Sequence, residues 1–449
     1  MNIYYLKIKV LPTLNNEKFN YLQGAYAHCW IKELSDSAAY RKAAFYVKKY
    51  DWKIEEVEIY SSLVTRENFN GKEMGLDNYE KAQKEGMAFV YVSWARDGKS
   101  SFEPVILNSS LKFDLEKYLI QIKKNKKSGR CLHFNTGAEC DQKISNAHSI
   151  QKNQMLAKIQ RDGQVYTLDN SFSSFTKNKG QLSYRRTGIG VFSTFRGFCE
   201  KHDNELFKSI DTQELIPTDQ QAFLYAYRSL CKELYNKEIA LKVYESPLKS
   251  GTNLSVVKES LESMLSGTKF GLKNLCIHKM KFDESLRNGR FEDIRYVLFI
   301  SDQSPNIAFS GGIFPDYDFL GRQLQDLSDH SSFLEMITFC SVPINSGWGF
   351  LFAWHDSSSE VSMEYIKSLA TSAYKAYSVE DFLFRLAITS ENHAIAPRWW
   401  EKLSTKHQEE IIEKTSETVN TFSETSRKYL MNGVEGISGW KFEKVTQNY

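Results

Sequence analysis

The sequence predicts a multidomain α+β protein, on three observations. Strand-like alternation and helical spacing are interleaved in the first hundred residues, a polar stretch bearing cysteine and histidine interrupts the middle, and strand patterns followed by helices fill the last third. At 449 residues the chain is long for one core, and at roughly 150 residues per unit it suggests about three. Apolar residues at 41% and charged residues at 25% are those of a folded chain rather than a disordered one. Four segments are expected: a small α+β domain over 1–120, a basic Cys/His module over 121–215, a helical connector over 216–268, and an antiparallel sheet with C-terminal helices over 269–449.

In the first segment "IYYLKIKVL" alternates as a strand, Ser35 caps the helical "SDSAAYRKAAFYVKKY", and "DWKIEEVEIYSS" and "MAFVYVSWA" supply further strands. That order predicts a small sandwich of the ferredoxin-like kind. His28 and Cys29 are adjacent, so they cannot share one side of a strand, and they are read as core or rim. A boundary follows at the lysine-rich "IQIKKNKKSGR". Next, "PTDQQAFLYAYRSLCKELYNKEIALKVY" reads as a helix with Thr218 as cap, Gln221 completing a capping box, and Cys231 in its apolar stripe. From 270 to 355 the segments "LCIHKMKF", "IRYVLFIS", "NIAFSGGIF", "LEMITFCSV" and "WGFLFAWH" read as strands of an antiparallel sheet. Helices follow at "SMEYIKSLATSAYKAY", at "SVEDFLFRLAI" starting from Ser378 and Asp381, and in a last Glu/Lys/Thr-rich stretch before a polar end.

Charge is unevenly placed. Between Ile122 and His202 there are 15 Lys and Arg against 5 Asp and Glu, a local excess of ten in a chain whose net charge is only +3. Such asymmetry fits a polyanion-facing segment in an acidic carrier. No apolar run is long enough to span a bilayer and the N-terminus lacks a secretory pattern, so a cytoplasmic location without membrane association is expected. Seven cysteines are too few and too scattered for a disulfide scaffold, and clustered ones then suggest metal.

Several chemistries lack their signs. There is no phosphate-loop motif, no G-x-G-x-x-G and no G-x-S-x-G elbow. Asp316 and Asp318 in "FPDYDF" are read as turn residues, and His355 with Asp356 and Glu391 with His393 as capping and packing groups. What remains is Cys131, Cys140, Cys199 and His202, three thiolates and an imidazole, a standard tetrahedral zinc set. His133 is an alternative to one of the first two. The C-x-x-H spacing places Cys199 and His202 one turn apart at a helix start. The flanking sequences bury little apolar surface, so a structural Zn²⁺ would supply free energy that they lack.

This pattern, an early ligand pair, "NAHSIQK", and a second pair at a helix start, resembles the zinc-stabilised treble clef of HNH endonucleases over about residues 131–205. The resemblance implies a ββα unit in which His148 is the general base and Asp203 holds a catalytic Mg²⁺. It also implies a nucleic-acid partner, with Lys123, Lys124, Lys126, Lys127, Arg130, Arg185 and Arg186 as candidate contacts. The alternative is a zinc-stabilised binding or regulatory protein without catalysis. A sensor joined to an effector, as in bacterial anti-phage defence, would suit the architecture.

Overall fold

A computed structural model describes the chain apart from residues 1, 15, 17–18, 21, 70–72, 96–99, 104–123, 126–127, 136–139, 142, 170–181, 250–257, 346, 376 and 420–425. The described residues fall into two compact units, one comprising those before residue 104 together with 258–261, the other comprising the rest from residue 124 onward.

The first unit is an antiparallel sheet of β1 (Asn2–Pro12), β2 (Leu22–Glu33), β3 (Trp52–Val64), β4 (Met87–Ala95) and β5 (Ser100–Glu103), in the order β3-β1-β2-β4-β5. Helix α1 (Asp36–Lys49) begins where Ser35 accepts a hydrogen bond from the Ala38 amide. It packs Ala39, Ala43 and Val47 on Leu6, Ile8 and Val10, one face of the alternating β1. Helix α2 (Glu73–Glu85) covers Ile3, Trp30 and Val90 with Tyr79 and Ala82. The connectivity departs from the ferredoxin-like expectation. β1 pairs directly with β2 before any helix, whereas a ferredoxin-like fold inserts a helix after its first strand. The stretch around His28 and Cys29 is the strand that sequence patterning missed: Cys29 is buried in the α1-facing core, while the His28 ring hydrogen-bonds the Tyr5 hydroxyl at 2.6 Å.

The second unit centres on an eight-stranded sheet. Its strands are β7 (Gln164–Leu168), β8 (Tyr184–Gly188), β10 (Ile294–Ser301), β11 (Ile307–Ile313), β12 (Ile337–Ile344), β13 (Gly347–His355), β14 (His393–Ile395) and β15 (Lys444–Gln447), ordered β15-β10-β13-β12-β11-β14-β7-β8. A separate two-stranded ladder joins β6 (Ala147–His148) to β9 (Thr194–Phe195). The longer helices are α3 (Glu200–Leu206), α4 (Asp219–Lys249), α5 (Lys258–Arg287), α6 (Ser359–Tyr374), α7 (Val379–Thr389) and α8 (Thr405–Val419).

Helix α4 starts with Thr218 accepting from the Gln221 amide, and the Gln221 side chain reaches the Ile216 amide. It lays Phe223, Tyr227, Leu230 and Leu234 on one face of the sheet, against Leu298, Met336 and Leu351. Helices α6 and α7 pack on the other core, around Phe309, Phe350, Phe352 and Trp348. With both faces covered, β12 and β13 read as continuous apolar runs, which is why their sequences announced them. "LCIHKMKF" is a correction: it lies inside α5, where Phe270, Asn274, His278 and Phe282 are buried at fourfold spacing. Among the described residues no helix is long and apolar enough to cross a membrane.

Two histidines sit deep in this unit. The His393 Nδ1–H donates to the Ser390 carbonyl and its Nε2 accepts from the Tyr184 hydroxyl, and His278 donates to the Leu334 carbonyl. Burial holds both rings far below the ordinary imidazole range, at about 4. In the unfolded chain these rings take up protons near pH 6.5, so between there and pH 4 the unfolded state binds more protons and stability falls with acid. Each ring contributes on the order of 3 kcal/mol over that window. The urea midpoint is therefore expected to drop steadily from pH 6.5 to pH 4.5. A midpoint that stays constant over that range contradicts the neutral, buried assignment.

Candidate metal centre

The strip 194–200 is the spine of the site, and two arms lie along it. On one side the Leu132 amide donates to the Gly197 carbonyl at 2.8 Å. On the other, the Ser145 amide donates to the Phe198 carbonyl at 2.9 Å, the Glu200 amide to the Lys143 carbonyl, and β6 pairs with β9. Two glycines permit the approach. A Cβ on Gly197 would stand 2.4 Å from the Phe195 ring, and one on Gly129 2.2 Å from the Arg196 carbonyl oxygen. Cys199 then caps α3: its sulfur accepts from the His202 amide at 3.4 Å, and the C-x-x-H spacing turns the His202 ring back over it.

Cys131, Cys140, Cys199 and His202 thereby bring their ligand atoms within 4.8 Å of one another. The His202 Nδ1 lies 3.4 Å from the Cys131 sulfur and 3.3 Å from that of Cys199. Zinc bonds of about 2.3 Å to sulfur and 2.0–2.1 Å to nitrogen at a tetrahedral angle require roughly 3.6 Å between such atoms. The donor set and the spacing both fit zinc. Cys131, Cys199 and His202 are buried and Cys140 is half-buried. Without a cation, burial pushes the Cys199 thiol up to about 12. A dication reverses that preference, because the thiolate is the ligand, and the helix N-terminus assists. Around the four, the Asp141 carboxylate accepts from the Lys201 and Lys143 amides, and the His133 ring stacks on His202 at 4.0 Å. His133 is thus a neighbour of the set, outside the group of four.

β6 pairs with β9 across an insertion that carries β7 and β8, and α3 follows β9, which gives a ββα arrangement with His148 ending β6 and Asp203 next to His202. The His148 Nε2–H donates to the Ile189 carbonyl at 3.1 Å. Its Nδ1 carries the lone pair and has no protein partner among the described residues. Burial, with the charges of Lys152 and Arg228, lowers its affinity for a proton and keeps the ring neutral near pH 7. The Asp203 carboxylate accepts from the Ser145 hydroxyl at 3.1 Å, and burial raises its pKa against the pull of Arg228. Among the described residues no group of three His, Cys, Asp or Glu ligands includes Asp203.

Sequence reading missed the ion pair that lies within reach of both. Arg228, 1% exposed on α4, grips Asp211 with two bonds of 2.8 and 2.7 Å and lies 4.1 Å over the Phe207 ring. The signal was available: "FLYAYRSLC" places one arginine in an otherwise apolar helix face. The candidate nucleic-acid contacts are differently disposed. Lys123, Lys126 and Lys127 lie outside the described residues, and Lys124 is exposed. Arg130 pairs with Glu238, Arg185 with Asp169 at 3.4 Å, and Arg186 with Glu401.

Ser285, Asp293 and His355 form a second cluster that superficially suggests nucleophilic catalysis. The Ser285 hydroxyl donates to Asp293, however, and the Ser357 amide donates to His355 Nδ1, so His355 Nε2–H faces Ser285 as a donor at 3.2 Å. A general base must accept that proton. Ser285 is also fully buried, and the three act as a structural clasp.

The chain matches no family model, no curated protein and no solved structure. One zinc per chain is expected by elemental analysis. Cys199→Ala or His202→Ala should lose it and lower the thermal midpoint, since structural zinc contributes about 10 kcal/mol or more in isolated fingers. Cys340→Ala, which removes a buried thiol of the sheet, should keep the zinc; full metal content in Cys199→Ala would sink the assignment.

Proposed function

We propose that the protein binds nucleic acid through its zinc-nucleated ββα unit and hydrolyses phosphodiesters with His148 as general base. The observation that carries this reading is the His148 ring: it ends β6, is anchored through Nε2–H, is held neutral, and has no partner at Nδ1 among the described residues. In the proposed step a water gives its proton to Nδ1 as its oxygen bonds to phosphorus, and the bridging P–O bond breaks with the leaving oxygen protonated from solvent. No step runs through Mg²⁺. The resemblance to HNH endonucleases supports the same residue in the same role. The second reading is binding without cleavage, and the half-buried, hydrogen-bonded state of Asp203 favours it.

Plasmid nicking separates the two. His148→Ala should leave zinc content and thermal midpoint unchanged and reduce nicking by roughly a hundredfold or more, the usual contribution of a general base. Intact plasmid after prolonged incubation with the wild-type protein and Mg²⁺, together with measurable binding, would leave the non-catalytic reading.

A further inference from the structure

A cation already held by a carboxylate contributes little to a phosphate contact, because both partners must first be separated and rehydrated. Arg130, Arg185 and Arg186 are in that state. Lys152 is not. It is exposed, and among the described residues no carboxylate or other acceptor reaches its ammonium group. It follows His148 closely in "HSIQK" and begins the helical turn at 152–156.

Its position relative to His148 is fixed by one short turn. The Lys152 Nζ lies 4.0 Å from the place a Cβ on Gly190 would occupy, and the preceding Ile189 carbonyl receives the His148 Nε2–H. Ammonium and imidazole therefore meet the same turn, Gly188 to Gly190. The exposed Gly190 has no side chain to obstruct a ligand there. The lysine's charge also reaches the ring, where it opposes protonation of His148.

We propose that Lys152 is the phosphate-contacting cation of the His148 site, seating a nucleic-acid backbone phosphate over the 188–190 turn beside the imidazole. The inference rests on the nucleic-acid reading above and names the residue through which that reading acts. A lysine is a point charge without the fork that reads a base edge, so the contact carries no sequence preference.

The test is fluorescence anisotropy of the full chain with a labelled DNA duplex across a series of NaCl concentrations. One phosphate contact contributes about 0.9 to the slope of log affinity against log salt, which is roughly eightfold in affinity at 0.1 M. Lys152→Ala should lose that amount in both slope and affinity with its zinc content unchanged. Lys152→Arg should restore them, and Arg161→Ala, at a cation paired with Glu401, should bind as wild type. Wild-type binding with an unaltered slope in Lys152→Ala overturns this inference alone, as does a loss confined to Arg161→Ala. No salt-dependent binding by the wild-type chain overturns the nucleic-acid reading with it.

Discussion

Three sulfur atoms and an imidazole nitrogen gathered within 4.8 Å, largely out of water, set the terms for the middle of this chain. As bare groups they would make only weak sulfur hydrogen bonds, which could not hold the surrounding polar segments against their conformational entropy. Helix α3 is only seven residues long and cannot persist by its own propensity. The ladder of β6 and β9 is two residues wide. Metal ligation would change this, because it would crosslink residues 131, 140 and 199–202 and hold the arms on both sides of the 194–200 strip at their ends. His148 takes its place from that frame.

A metal at the four ligands would not by itself set the imidazole. The 58 residues between Cys140 and Cys199 are not a slack loop: within them β7 and β8 leave the ββα unit and extend the eight-stranded sheet through β14. The return is fastened next to His148. Ser149 donates to the Ser193 carbonyl, the Ser193 hydroxyl accepts from the Ile150 amide, and Ser193 itself adopts a left-handed φ of 59°. The Asn392 amide spans from the Ser149 hydroxyl at 2.8 Å to that of Ser310 on β11 at 2.6 Å. The hairpin carrying His148 is thus tied on one side to the metal ligands and on the other to the large sheet, an arrangement that fixes a side chain more firmly than a free loop would.

Local order was legible in the sequence wherever one physical rule dominated. Alternation exposed β1 and β4, two-sided burial exposed β12 and β13, and the hydroxyls of Ser35, Thr218 and Ser378 marked helix starts where they now accept amide hydrogens. "LCIHKMKF" failed because a short apolar pattern satisfies both periods, and only packing of His278 on Phe314 and Phe333 and of Phe282 on Phe223 decides for helix. The four ligands could be named by type, since thiolate and imidazole are what zinc takes. Their convergence, the approach permitted by Gly129 and Gly197, and the Arg228–Asp211 pair depend on contacts between distant segments that no spacing encodes.

The same limit governs charge. Counting the basic stretch 122–202 suggests a surface waiting for a polyanion, yet several of its cations are matched by carboxylates from outside that stretch. Arg130 meets Glu238, Lys158 meets Glu214, and Arg161 and Arg186 converge on Glu401. Lys158 also donates to the Ile344 and Gly347 carbonyls, at the β12–β13 turn. Each exposed pair contributes only about 0–1 kcal/mol, so the effect is less one of stability than of register: complementary charge helps dock a polar segment that has little apolar surface of its own. Much of the local excess is therefore internal, an acidic framework answered by a basic insert. The field felt by a ligand is then set by the cations left unmatched, and by how close they stand to groups that can do chemistry.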